Sequence, residues 1–169
     1  MGMLVEKSDF SGVFELPVNT LNTDLLDSVI TEVEADVMRK LLGDTVFINF
    51  EADYTTENDF INLIDGDDYV IGTKTTRFLG MKEAMKYFVW FYFMREQSYQ
   101  ATTQGVLESD IDASRKSKKE FSVLCRYFNK GVDIYNTAIT YINEYLIGEM
   151  DSENFTEIET LEIEKMTWI

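Results

Sequence analysis

The chain has no histidine, one cysteine and one proline among its 169 residues, and each scarcity removes a class of function. Without an imidazole there is no Ser-His-Asp or Cys-His catalysis and no histidine metal site. Cys125 stands alone, so neither an intramolecular disulfide nor a cysteine-rich metal site can form. Basic residues are scarce too: 15 Lys and Arg face 31 Asp and Glu, for a net charge of −16. Phosphate recognition relies on cations that displace counterions, which argues against a nucleic-acid-binding surface. The isolated glycines 66, 72, 80 and 105 match neither G-x-G-x-x-G nor G-x-x-x-x-G-K-[ST], so nucleotide binding lacks a motif. The opening "MGMLVEKSDF" has no signal-peptide apolar core, which points to an intracellular origin.

Carboxylates are abundant, but abundance alone creates pairs. Asp67 with Asp68, and Glu162 with Glu164, read as solvated surface. The stretch Asp151 to Glu162 approaches a calcium-loop template, yet Thr156 stands where that template needs glycine and Phe155 where it needs a ligand. No catalytic residue, cofactor site or metal site is predicted, and the chain reads as a non-enzyme.

What is present is apolar material for a core: 45% of residues are hydrophobic and 14% aromatic. Charge is uneven along the chain, at −11 over residues 1–80, +1 over 81–147 and −6 over 148–169. The pattern predicts a mainly α fold, a helical bundle with a small β-hairpin or strand-rich arm and an extended C-terminal tail. We place one helical domain at 1–149, with an inserted arm at about 45–79, and an acidic docking tail at 150–169.

Leu26, Val29 or Ile30, Val33, Val37 and Leu41 recur every three to four residues and define a first helix, with Glu32, Glu34 and Asp36 largely off that face. Asn22 or Thr23 caps its start, Asp24 and Asp27 suit its positive end, Arg39 and Lys40 its negative end, and Gly43 its stop. From Thr45 to Leu79 the stretches "TVFINF", "DFINLI" and "YVIGTKTTRFL", with "DGDD" as a turn, predict short strands or a hairpin.

Met81 to Tyr99 would make a helix about 28 Å long, close to a bilayer's thickness. Its uncharged run, however, covers only the eight residues Tyr87 to Met94, against the roughly 20 that a span needs. A membrane helix is rejected. The segment is either the central helix of a bundle or is covered by a neighbouring subunit, and its aromatics read as core. A last long helix starts near Ala113 and carries the stripe Phe121, Leu124, Phe128, Val132, Tyr135, Ile139 and Ile142, with Cys125 as a core residue and Gly131 as a point of bending. Arg115, Lys116, Lys118 and Lys119 crowd its N-terminal turns, where the helix dipole disfavours cations, so an acidic partner is expected. In the tail, Phe155, Ile158, Leu161, Ile163, Met166 and Trp168 are too apolar to face water as one patch and predict docking.

The pattern F-x-x-L-I-x-G-x-x-Y followed by G-[LM]-K-x-A-x-x-Y-F occupies Phe60, Leu63, Ile64, Gly66, Tyr69, Gly80, Met81, Lys82, Ala84, Tyr87 and Phe88. With the element order over roughly residues 20–147, it resembles the head-tail connector (neck or adaptor) proteins of tailed bacteriophages. The resemblance implies a structural virion protein with no enzymatic role. Made in the host cytoplasm, it would form a ring of identical subunits on the portal protein and receive the next neck or tail protein. Double-stranded DNA would pass its acidic lumen without specific binding. Arg115, Lys116, Lys118 and Lys119, with Phe155, Leu161, Ile163, Met166 and Trp168, are the expected partner-binding residues, and Leu26, Val33, Val37, Phe88, Phe91, Phe128 and Tyr135 the expected core. A different class fits the charge as well: an acidic DNA mimic that occupies the basic groove of a nuclease or repressor.

Overall fold

The computed structural model describes the backbone of residues 2–16, 23–103, 111–145 and 158–159, and side chains over 2–16, 23–96, 122–143 and 158–159. Helix α1 spans Thr23–Asp53. It is broken at Gly43, whose φ of 70° and ψ of 163° are non-helical, so glycine interrupts the helix where the sequence placed its stop. The chain then resumes the helix. Phe47, Phe50 and Tyr54 recur at helical spacing, Phe47 and Phe50 are buried, and their rings lie 6.3 Å apart. "TVFINF" is therefore helix and not strand, because that spacing buries the aromatics on one side.

"DFINLI" is likewise helical. Helix α2, Asn58–Asp65, buries Phe60 and Leu63, and Phe60 meets the Phe50 ring edge-on at 5.3 Å. Gly66 at φ 93° ends it, with its N–H donating to the Asn62 carbonyl at 2.9 Å. Thus "DGDD" is a helix terminus followed by the first strand residues, not a hairpin turn. The strands are β1, Asp67–Ile71, and β2, Lys74–Phe78, paired antiparallel with Asp68 opposite Arg77 and Ile71 opposite Lys74. The turn is Gly72-Thr73, where only the glycine has positive φ, at 62°, as a type II′ turn requires. Tyr69 and Phe78 point inward, and their rings sit 5.3 and 5.1 Å from that of Tyr141.

Helix α3, Met81–Thr103, packs against α1, α2 and α4, the last being Ile111–Tyr145. No residue from 81 to 94 is exposed, and Met81, Ala84, Met85, Phe88, Val89, Phe91 and Phe93 are buried. The aromatic helix is thus central and is covered by its own chain, so it does not by itself demand a neighbour. No helix among the described residues is long and apolar enough to cross a membrane. α4 runs unbroken through Gly131. A Cβ there would come within 3.0 Å of the Phe88 ring, so this glycine serves close approach of α3 and α4. All seven expected core residues, Leu26, Val33, Val37, Phe88, Phe91, Phe128 and Tyr135, are buried.

Candidate interaction site

An N-terminal arm, residues 2–16, crosses α1 and reaches α3. Its anchor is Glu34, which is only 1% exposed; expected off the apolar face, it instead lies four residues after Ile30 and four before Met38, so the register puts it on the buried side of α1. The Glu34 carboxylate accepts three consecutive backbone N–H groups: Oε2 from Met3 at 2.6 Å, and Oε1 from Leu4 at 2.9 Å and Val5 at 2.7 Å. Burial pushes its carboxyl above the ordinary value, while the N–H groups of Val5, Met3 and Leu4 pull the other way. Gly2 fits because any Cβ would strike Val5, the Ile30 side chain and Glu34. Farther along, Lys7 pairs with Asp27 at 2.7 Å and Asp9 with Lys82 at 3.4 Å.

The arm ends on a ledge of aromatic rings and cations at the α3–α4 seam. Phe14 is buried with its ring 4.8 Å from Tyr87 and 6.1 Å from Tyr127. Tyr127 also lies against Trp90 at 4.7 Å. Lys130 stands over both tyrosine rings, at 5.8 and 5.7 Å, and Arg126 over Tyr127 at 5.9 Å. Such contacts hold a cation in place without neutralising it. Arg126 and Lys130 are exposed and, among the described residues, have no carboxylate within 4.0 Å. Lys86, by contrast, pairs with Glu83. Burial, with the charge of Glu83 and the neighbouring Tyr127, keeps the Tyr87 phenol above its ordinary value, so it stays a neutral hydrogen-bonding group at physiological pH.

The exposed apolar side chains lie elsewhere. Besides Val13, which is 68% exposed beside Phe14 on the arm, they are Ile48 on α1 at 64%, Val70 and Ile71 on β1 at 60% and 38%, and Leu79, just past β2, at 52%. Asp67 and Asp68 open β1, where the Asp67 Oδ1 accepts the Asp68 N–H at 2.7 Å and Asp68 faces Arg77 at 4.0 Å.

Of the partner-binding residues expected from sequence, Arg115, Lys116, Lys118 and Lys119 lie on the first turns of α4, with their side chains outside the described residues. Phe155, Leu161, Ile163, Met166 and Trp168 lie outside the described residues altogether. In the tail, Ile158 is half-buried and packs against the core. Arg126, Lys130, Tyr87, Trp90 and Tyr127 escaped the sequence reading, which took the aromatics as core. The signal was the four-residue step from Arg126 to Lys130, which continues the register of Arg115 and Lys119 along α4.

Cys125 is buried at 1% exposure, and burial raises its thiol above the ordinary value. The thiolate is therefore disfavoured at neutral pH. Ellman's reagent should label Cys125 more than about tenfold more slowly in the native protein than in denaturant; equal rates would contradict this packing. Among the described residues no group of three or more Cys, Asp or Glu side chains is placed to hold a metal ion. Comparison with family models, curated proteins and solved structures finds no match to this chain.

Proposed function

We propose that this chain is a structural virion protein that forms a head-tail connector ring on the portal of a tailed phage, bridging capsid to tail at the neck. It acts without catalysis. The reading is carried by the junction of α2, hairpin and α3, because the residues of the connector-like pattern meet there as one packing unit. Phe60 and Leu63 are the buried face of α2, Gly66 and Gly80 close the hairpin base, Tyr69 fixes β1 on Tyr141, and Phe88 fills the contact opposite Gly131. A hairpin held this firmly at its base, with Val70 and Leu79 facing outward, is suited to meet another protein.

The charge supports the same role. A surface with a net charge of −16 offers passing DNA few counterion-releasing contacts, so a lumen lined by it would not retain the duplex. Arg115, Lys116, Lys118 and Lys119 supply a cationic contact. The tail residues Phe155, Leu161, Ile163, Met166 and Trp168 supply an apolar one, toward the portal or an adjacent subunit.

Electron microscopy of the purified protein mixed with the portal of the same virus tests the reading. The expected image is an added ring-shaped layer beneath the portal. A bare portal beside free protein would overturn the proposal.

A further inference from the structure

We propose that the cation-aromatic ledge at Arg126 and Lys130 docks on the acid-flanked ridge Asp44-Ile48-Glu51 of a second copy of this chain. The proposal deepens the ring reading by naming the contact between copies, and it can fail independently of portal binding. The ledge combines Tyr87, Trp90, Tyr127 and Arg126, residue types that concentrate in the energetic centres of protein interfaces. Their rings are half-buried, so contact area is offered at little cost in side-chain ordering.

The ridge is its complement. Asp44, Ile48 and Glu51 are separated by four and three residues on the resumed half of α1, which puts them on one exposed face, with the buried Phe47 and Phe50 on the adjoining flank. All three are exposed, and neither acid has an ion-pair partner among the described residues. An apolar centre flanked by two carboxylates thus exists on the same molecule as aromatic rings flanked by two cations. Arg39 lies over Phe47 on the flank of the ridge at 5.1 Å, but the exposed acids Asp44 and Glu51 complement the exposed cations Arg126 and Lys130.

Because the two patches differ, the contact is heterologous: each copy uses its ledge on one neighbour and its ridge on the other. That geometry propagates into a closed ring or an open filament. Two copies of charge −16 repel at long range. At physiological salt the screening length is about 8 Å, which quenches the long-range repulsion more than a close contact between opposite charges. The same field disfavours a nucleic-acid strand on the ledge: bases can stack on the rings, but a polyanion carries its charge along its whole length and meets the repulsion of a chain of charge −16 throughout.

A charge swap tests the contact. In one full-length variant Arg126→Glu and Lys130→Glu reverse the ledge; in another Asp44→Lys and Glu51→Lys reverse the ridge. All four positions are exposed, and circular dichroism checks that both variants fold. Sedimentation velocity in 0.15 M salt, the physiological strength, should show self-association of the wild type. Each variant alone should be weakened by at least about tenfold, and an equimolar mixture should regain association, because reversed ledge meets reversed ridge and the native patches also find each other. A reversed-ledge variant that associates like wild type, a mixture that does not recover, or a wild type that stays monomeric would overturn the proposal. So would a monomeric wild type whose ledge binds a fluorescent single-stranded oligonucleotide in a manner lost on reversal. Charge-swap rescue without portal binding would leave this contact standing and remove the connector role. A portal ring assembled equally well by both variants would do the reverse.

Discussion

Replacing Glu34 with Ala should release the N-terminal arm and cost on the order of 3 kcal/mol of stability. The carboxylate accepts the N–H groups of Met3, Leu4 and Val5. Its removal leaves three donors without a partner, those of Leu4 and Val5 buried and that of Met3 half-buried, and a buried donor without a partner costs about 1–3 kcal/mol. The loss has a ceiling, because the arm can lift off and give its amides to water. Lifting in turn exposes Leu4, Val5, Phe10, Phe14 and Leu16, all buried in the native chain. Denaturant unfolding reads the energy, and hydrogen exchange of Met3, Leu4 and Val5 reads the release. Asp36→Ala is the control: its partner Lys40 and its own side chain are both about half exposed, and exposed pairs contribute under about 1 kcal/mol. If the two substitutions cost the same and the three amides stay protected, the anchor role of Glu34 is wrong.

Acid provides a second readout at the same residue. The carboxyl of Glu34 lies above its ordinary value because burial outweighs its three donors. A carboxyl raised in the folded state binds its proton more tightly there than in the unfolded chain. Its contribution to stability is therefore complete below the ordinary value of 4.5 and is lost as pH rises through the folded value. Glu34→Gln should remove that part of the pH dependence. It should also destabilise at every pH, since an amide oxygen can serve Leu4 and Val5 while its NH2 meets the N–H of Met3.

Glu34 also marks the limit of what periodicity reveals. Spacing alone locates the apolar stripe of α1, the interruption at Gly43 and the long helices α3 and α4, because these depend on local repeats. The register of Ile30 and Met38 puts Glu34 on the buried side of α1, but the donors that satisfy it come from an arm some thirty residues away in sequence, and no local pattern encodes those. "TVFINF" and "DFINLI" look like strands by composition, but Phe47 with Phe50 and Phe60 with Leu63 are spaced three apart. In stretches this short, one helical turn and a β-rich composition are hard to separate. The ledge was missed for a related reason: an aromatic run predicts burial, but not which rings lie at the rim of a helix seam.

Gly80→Ala should be among the most damaging single-methyl additions in the chain, at about 3 kcal/mol or more, whereas Gly72→Ala should cost about 1–2 kcal/mol. Both glycines have positive φ, at 86° and 62°, so each substitution carries conformational strain. Only Gly80 adds a collision. A Cβ there meets the Ile64 carbonyl oxygen, the Gly66 nitrogen at 2.5 Å and the Asp65 carbonyl carbon at 2.6 Å. At Gly72 nothing lies within 4 Å. The obstacles at Gly80 are backbone atoms at the end of α2, which cannot step aside as a side chain can. Relief requires the hairpin base to open and Phe78 to shift from Tyr141, against which it stacks at 5.1 Å. Gly66 is the reciprocal case, where a Cβ would lie 2.5 Å from the Phe78 carbonyl oxygen. The two glycines thus face each other across one crossing, and that crossing explains the glycines in the connector-like pattern as a packing requirement. Thermal unfolding of the two alanine variants decides the matter: equal losses at positions 72 and 80 would mean that the base is loose, and the hairpin could not then present Val70 and Leu79 as a fixed surface.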